Sequence, residues 1–274
     1  MPIITIYQGA SGSGQELAES VAAAMGYRCW GRAELVEAAR RYGIIELKLN
    51  ELVKNAPQQW QTLSLDFGRY RCALQAALCE AVLGGTLVYH GHSGQELLGS
   101  IRHVVKVLLT APMDFRIEQI KARQGVSEEE ARRYLEVTDE ARSRRLMAMF
   151  GADWRDPSRY DLALNLGRIT RDSATRIIVE VAQLEEYQPT DQSEQQFEDL
   201  SLAARVSASL SSSPECGAWD LQVRAENGHV YISGNDQPGI SQTQVVQVAQ
   251  RVPGVNQITT DFGGRLSGRN GGIR

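Results

Sequence analysis

A glycine-rich segment near the start of the chain restricts the possible folds most strongly. Residues 9–14 (GASGSG) follow a short apolar, β-branched run at residues 3–7 and precede a stretch in which alanine and leucine recur at helical spacing. Gly26 follows that stretch, at a position where glycine commonly ends a helix. The order of strand, glycine loop and helix is typical of the first unit of a parallel α/β sheet.

The loop has the G-x-x-x-x-G spacing of a phosphate-binding loop (P-loop), without the lysine and hydroxyl residue that normally follow. Backbone N–H groups of such a loop, together with a helix N-terminus, attract phosphate. Gln15 is uncharged and stands at the lysine position, and Glu16 stands where a magnesium-binding hydroxyl is usual. A glycine-rich turn that binds no ligand explains the same spacing equally well. The predicted cofactor-binding residues are Gly9, Ser11, Gly12, Ser13, Gly14, Gln15 and Glu16.

Strand and helix signals alternate along the next 160 residues. Apolar runs predict further strands at residues 27–30, 86–90, 103–110 and 162–166. Helical spacing predicts helices at residues 32–42, 47–54, 67–83, 113–123, 127–150 and 170–187. This alternation predicts an α/β fold with a doubly wound parallel sheet.

The composition changes after residue 187. Residues 188–199 are polar and acidic and contain no lysine or arginine, which predicts a linker. Residues 200–263 predict a small α+β domain in the order α-β-β-α-β, with an Asn-Gly hairpin turn at residues 227–228. Residues 264–274 form a tail rich in glycine and arginine. We therefore expect domains at residues 1–187 and 200–263, joined by the linker.

Four segments, in this order, resemble the cytidylate kinase-like family of P-loop nucleoside monophosphate kinases: GASGSGQELAESVAAAMGY, LVYHGHSGQELL, VVKVLLTAPMDFRIEQIKARQGVSEEEARRYLEVTDEARSRR and YDLALNLGRIT. The resemblance implies a P-loop fold with a helical lid. It also implies phosphoryl transfer from ATP, with Mg²⁺, to a nucleoside monophosphate such as CMP. Substrate binding would involve Arg32, Gly91 and His92. The family usually has an arginine at position 92, an acidic residue at position 90 and an aspartate at position 31.

Seven arginines fall in the region that resembles the lid: Arg116, Arg123, Arg132, Arg133, Arg142, Arg144 and Arg145. Phosphoryl transfer is catalysed mainly by positioning and charge neutralisation, which favours a role for some of them. The resemblance implies catalytic roles for Arg123, Asp139, Arg142 and Arg145, with Asp139 and Arg142 matching a D-x-x-R lid pattern. Alternatively, each arginine pairs with neighbouring glutamates on a solvated helix.

The C-terminal segments LAARVSASL, LQVRAENGHVYISGN and VVQVAQRVPGVNQITTDF resemble a BON domain. That resemblance implies binding of a protein partner, and a small packing domain without a ligand is the alternative. The formal net charge of −4 gives no reason to expect a nucleic-acid partner. No apolar run approaches the roughly 18 residues that a membrane span needs, and we expect a cytoplasmic protein without a signal peptide.

No metal-binding motif is evident. The four cysteines are scattered without a C-x-x-C pair, and His90 and His92 have no further ligands near them in the sequence.

The sequence leaves two hypotheses for function. The chain is a nucleoside monophosphate kinase, as the glycine spacing and the arginines favour. Alternatively, it is a catalytically degenerate sensor or scaffold that recruits partners through the BON-like domain, as Gln15, Glu16 and His92 favour.

Overall fold

The computed structural model describes residues 1–9, 13–43, 60–91, 93–216, 221–234 and 241–262, without the side chains of residues 13 and 60–66. The predicted helix at residues 47–54, the C-terminal tail and three predicted site residues (Ser11, Gly12 and His92) lie outside these ranges.

Five parallel strands form the larger sheet in the order β2-β3-β1-β4-β5. Their bounds are β1 (Ile3–Gln8), β2 (Arg28–Trp30), β3 (Leu87–His90), β4 (Val104–Thr110) and β5 (Leu162–Asn165). Strand β1 lies in the centre, pairing with β3 and with β4. All five strands lie within two residues of the runs that the apolar pattern predicts.

Nine α-helices occur among the described residues. They are α1 (Ser13–Met25), α2 (Arg32–Ala39), α3 (Trp60–Leu83), α4 (Gly94–Leu97), α5 (Met113–Gln124), α6 (Glu128–Phe150), α7 (Arg171–Ala182), α8 (Asp191–Ser212) and α9 (Gln242–Gln250). Helix α6 begins with the predicted capping box, in which the Ser127 hydroxyl accepts the Glu130 backbone N–H. Helices α5 and α6 end at Gly125 and Gly151, both in the left-handed conformation that glycine adopts without strain.

Helices cover both faces of the larger sheet. Ile4 and Ile6 of β1 pack on one face with Leu17 of α1 and Ile178 of α7. Ile3 and Tyr89 pack on the other face with residues of α2 and α3, including Leu35 and Leu74. The predicted doubly wound α/β fold is therefore confirmed.

A second, smaller sheet contains β6 (Leu221–Glu226), β7 (His229–Gly234) and β8 (Gln257–Phe262) in that order. Strands β6 and β7 form the predicted antiparallel hairpin, and Asn227 and Gly228 at its turn have φ angles of 50° and 81°. Strand β8 runs parallel to β7. Together with α8 and α9, these strands give the predicted α-β-β-α-β order.

The segment predicted as a linker is mostly helical. Helix α8 begins at Asp191 and continues without interruption through residue 199, so any linker over residues 188–199 is helical for most of its length. Phe197, Ala204 and Ala208 of α8 pack into the core shared with α3, whereas Leu202, Val206 and Leu210 pack against the small sheet. One helix thus contributes to both cores, and the division into two independently folding domains stays a prediction. Within the described ranges, no helix has the length and apolar character that crossing a membrane requires.

Candidate phosphate-binding cleft

The glycine loop lies at the carboxyl end of the central strand β1, the end at which open α/β sheets bind ligands. Strand β1 ends at Gln8, and α1 begins at Ser13. The Gln8 side chain lies against Gly14 so closely that a Cβ on residue 14 would overlap its amide oxygen. Glycine at position 14 therefore lets the first turn of α1 approach the end of β1.

One cleft contains many of the predicted residues. Its lining consists of Ile6, Gln8, Gly9, Gly14, Gln15, Arg32, His90, Gly91, Arg123 and Arg142. Seven of these were predicted from the sequence; Ile6, Gln8 and His90 complete the lining. Three arginines from α2, α5 and α6 line this cleft together with Gly9 and Gly14, an arrangement suited to an anion with several charges.

Arg142 reaches the loop from the lid helix α6. Its Nη1 donates to the Gln8 carbonyl oxygen over 2.9 Å, at the last residue of β1. Burial lowers the pKa of Arg142, while the charge of Asp139 opposes that shift. Because the ordinary pKa of an arginine lies far above 7, its charge is retained and lies in the cleft beside Gly9 and Gly14.

Arg116 of α5 approaches the first glycine of the loop. Its Nη2 lies 3.5 Å from the position that a Cβ on Gly9 would occupy. The same nitrogen forms an ion pair of 2.7 Å with Asp139 of α6, and both side chains are mostly buried. Asp139 thus contacts Arg116 and is not among the residues that line the cleft, although the sequence predicted it as a lid residue.

The two residues that replace the usual lysine and hydroxyl make contacts of their own. The Gln15 Nε2 donates to the Glu19 Oε1 over 2.9 Å, one turn further along α1. The Glu16 carboxylate lies 2.5 Å from Arg171 and 3.8 Å from Arg123. These arginines offset the negative charge that Glu16 places in the first turn of α1.

Among the described residues, the side chains near the glycine loop do not form a protein-held magnesium site. Glu16, the one carboxylate at the usual metal-ligand position, has arginine contacts to both of its oxygens. The described residues contain no cluster of three or more histidine, cysteine or acidic side chains that could hold a metal ion. Mg²⁺ prefers carboxylates and substrate phosphates, and the Glu16 side chain does not fit that role while it is paired.

The opposite side of the cleft is formed by α2 and the end of β3. The Glu34 Oε2 accepts the Gly31 backbone N–H over 2.9 Å, which caps α2 just before Arg32. The His90 imidazole lies 2.8 Å from the position of a Cβ on Gly31. A side chain at position 31 would therefore require the His90 imidazole to move. Burial lowers the pKa of His90 and favours its neutral form.

Two further arginines of the lid region, Arg132 and Arg144, follow the alternative of surface ion pairing. Arg144 bonds to Glu140 over 2.9 Å, and Arg132 lies 3.6 Å from Glu128, one turn away on the same helix. Arg145 is not among the cleft-lining residues; burial raises the pKa of Tyr7, and the nearby charge of Arg145 opposes a part of that rise. Only part of the arginine cluster therefore faces the loop.

Two neighbouring features were not singled out from the sequence. Trp154 lies beside Gly9 and stacks on Tyr7, with 5.5 Å between ring centroids. A second, more apolar pocket adjoins the start of α1, and it is lined by Glu16, Phe115, Leu166, Gly167, Arg168, Ile169, Thr170 and Arg171. No spacing rule marks these residues, because they come from different elements that meet only in the fold.

Comparison with protein families decides the classification. Residues 3–168 match the model of the cytidylate kinase-like family. The chain belongs to the cytidylate kinase-like family. The match includes the glycine loop, both sides of the cleft and the lid helix, and it ends before α7.

Relatives of this cytidylate kinase-like chain include several archaeal enzymes. Cytidylate kinase from Methanopyrus kandleri is 30% identical over 101 residues, which cover 36% of this chain and 52% of the relative. Cytidylate kinase from Ignicoccus hospitalis is 27% identical over 164 residues, which cover 59% of this chain and 88% of the relative. The chain spans about half the length of the Methanopyrus kandleri and Staphylothermus marinus enzymes, 52% and 56%.

Among solved structures, an uncharacterized protein from Eubacterium ventriosum is similar, with a TM-score of 0.49 and 18% identity over 66% of this chain and 97% of that chain. TT1252 from Thermus thermophilus has a TM-score of 0.44 and 20% identity, and the match covers 67% of this chain and 98% of that chain. The fold assignment of the cytidylate kinase-like chain rests on its own strand order and helix placement.

Proposed function

We propose that the chain binds a nucleoside phosphate at the glycine loop and transfers a phosphoryl group from ATP to a nucleoside monophosphate. The observation that supports this proposal most strongly is the position of three arginines. Arg32, Arg123 and Arg142 line one cleft with the loop glycines Gly9 and Gly14. Phosphoryl transfer depends on positioning and on neutralising the charge of the transferred group, and this cleft offers both.

The proposed roles follow from the two sides of the cleft. The loop amides and the N-terminus of α1 would hold the donor phosphates, since backbone donors require no lysine. Arg142 would supply the cation that Gln15 lacks, and Arg123 would add charge from the end of α5. Arg32 and the backbone at Gly91 would hold the acceptor phosphate on the other side. Mg²⁺ would enter only as part of the ATP complex.

CMP is the acceptor to test first, because the archaeal relatives are cytidylate kinases. The decisive assay incubates the purified full-length chain with ATP, Mg²⁺ and CMP, UMP, AMP or GMP in turn, and quantifies nucleoside diphosphate by chromatography. We expect diphosphate from at least one acceptor, with CMP the most active. Absence of diphosphate from all four, at high protein concentration, would refute the kinase proposal.

A second candidate is a nucleotide sensor or scaffold without catalysis. It is favoured by Gln15 and Glu16, whose side chains are bonded to Glu19 and Arg171 at the positions where a kinase normally has its lysine and hydroxyl. The C-terminal α-β-β-α-β unit would then bind a protein partner. Nucleotide binding without turnover in the assay above would favour this candidate over the kinase.

A further inference from the structure

Gly9, the first residue of the glycine loop, lies close to two large side chains. The Trp154 Cη2 lies 3.3 Å, and the Arg116 Nη2 3.5 Å, from the position that a Cβ on Gly9 would occupy. The indole and the guanidinium therefore leave little room for residue 9 to carry a side chain or to shift in that direction. Its orientation matters because the phosphate site consists of backbone N–H groups.

Trp154 is itself held at three points. Its ring stacks on Tyr7, its Nε1–H donates to the Ser143 Oγ over 2.8 Å, and its carbonyl oxygen accepts the Tyr160 hydroxyl over 2.9 Å. Only 8% of the residue is exposed. The position of the indole is therefore set by its contacts with β1 and with the lid helix.

Two consecutive residues of the lid helix connect it to the end of β1 and to Gly9. Arg142 donates directly to the Gln8 carbonyl, and the adjacent Ser143 accepts from Trp154, which lies beside Gly9. These contacts join α6 to two consecutive backbone positions, 8 and 9. Because no lysine assists here, the geometry of the backbone donors carries a larger share of phosphate binding.

We propose that Trp154 and Ser143 are positioning residues that set the backbone of Gly9 for the donor polyphosphate and couple it to the orientation of the lid helix. This inference rests on the proposed function for its ligand, a nucleoside triphosphate. Among the described residues, no hydrogen bond or ring contact joins Trp154 to the acceptor side, which is formed by α2 and the end of β3. Substituting Trp154 or Ser143 should therefore weaken the binding of the donor nucleotide rather than that of the acceptor.

Ser143→Ala removes the hydrogen-bond acceptor of the indole and keeps the Arg142 contact. We expect ATP to bind about five- to tenfold more weakly by calorimetry, the factor that one lost hydrogen bond commonly produces. CMP affinity should stay within about twofold. Ser143→Thr, which keeps a hydroxyl, should restore ATP affinity. Ser211→Ala, which removes a hydroxyl bonded to the Ser207 carbonyl of α8, is the matched control and should leave both affinities unchanged.

A readout without nucleotide separates this inference from the proposed function. The amide resonance of Gly9 in a ¹H–¹⁵N spectrum should shift in Ser143→Ala and in Trp154→Phe, and stay in place in Ser211→Ala. If wild-type protein binds no ATP but the Gly9 resonance shifts, the proposed function fails and the positioning of Gly9 stands. An unmoved Gly9 resonance, or equal losses of ATP and CMP affinity in Ser143→Ala, would overturn the inference.

Discussion

Arg142→Ala tests whether the lid helix replaces the missing lysine. The substitution removes the guanidinium from the cleft and the 2.9 Å bond to the Gln8 carbonyl oxygen. Loss of one donor that stabilises transition-state charge typically lowers kcat by about 10²–10³, or about 2.7–4 kcal/mol. We expect a loss of that size in diphosphate formation, measured by chromatography under saturating ATP and CMP.

The same helix offers a matched control. Arg144 lies two residues away, its side chain is 66% exposed, and it bonds to Glu140 on the surface. Such surface pairs contribute only about 0–1 kcal/mol, so Arg144→Ala should retain nearly full activity. Thermal melts of both variants would show whether Arg142→Ala remains folded. Equal rates for the two folded variants would refute a catalytic role for Arg142.

Further predictions concern stability and the shared helix. Phe197→Ala should lower the free energy of unfolding by about 3–5 kcal/mol in denaturant titrations, because the residue is only 5% exposed in the core that α8 shares with α3. Glu198 is the exposed neighbour, and Glu198→Ala should leave the free energy of unfolding almost unchanged. Limited proteolysis should spare residues 191–199, contrary to a linker, and rapid cleavage there would contradict the continuous helix. His103, 5% exposed and bonded to Ser193, has a pKa lowered mainly by burial. The folded state therefore favours neutral imidazole, and stability should fall as pH drops below about 6.5, the unfolded value. His103→Gln should remove that part of the pH dependence; an unchanged pH profile in the variant would count against it.

The sheet was predictable because its strands are buried on both faces and appear in the sequence as continuous apolar runs. The first part of helix α8, residues 191–199, was not predictable in the same way. Its buried face places Ser193, Phe197, Ser201, Ala204 and Ala208 at helical spacing, and a pattern that counts only large apolar residues overlooks serine and alanine. The glutamine and glutamate around them are good helix formers, although their polarity resembles that of a linker.

The site was predictable where chemistry follows sequence spacing. Gly9, Gly14 and Gln15 follow β1 directly, and Arg142 follows from a lid pattern; all line one cleft. The Arg116–Asp139 pair joins two helices, and the sequence contains no signal that pairs them. Trp154 was overlooked for a similar reason: it reaches Gly9 only because α6 ends at Gly151 and the chain then turns back toward the loop.

Calorimetric titration of ATP into the wild-type protein and Gln15→Lys tests most directly whether this loop binds phosphate without its lysine. We expect measurable binding to the wild type, since the backbone donors and Arg142 remain. We expect Gln15→Lys to bind ATP about tenfold more tightly, which corresponds to the lower end of the free energy of a charge-assisted hydrogen bond, because Glu19 competes for the new ammonium. No detectable binding to either protein would contradict phosphate binding by this loop, and would leave the glycine segment as a structural turn between β1 and α1.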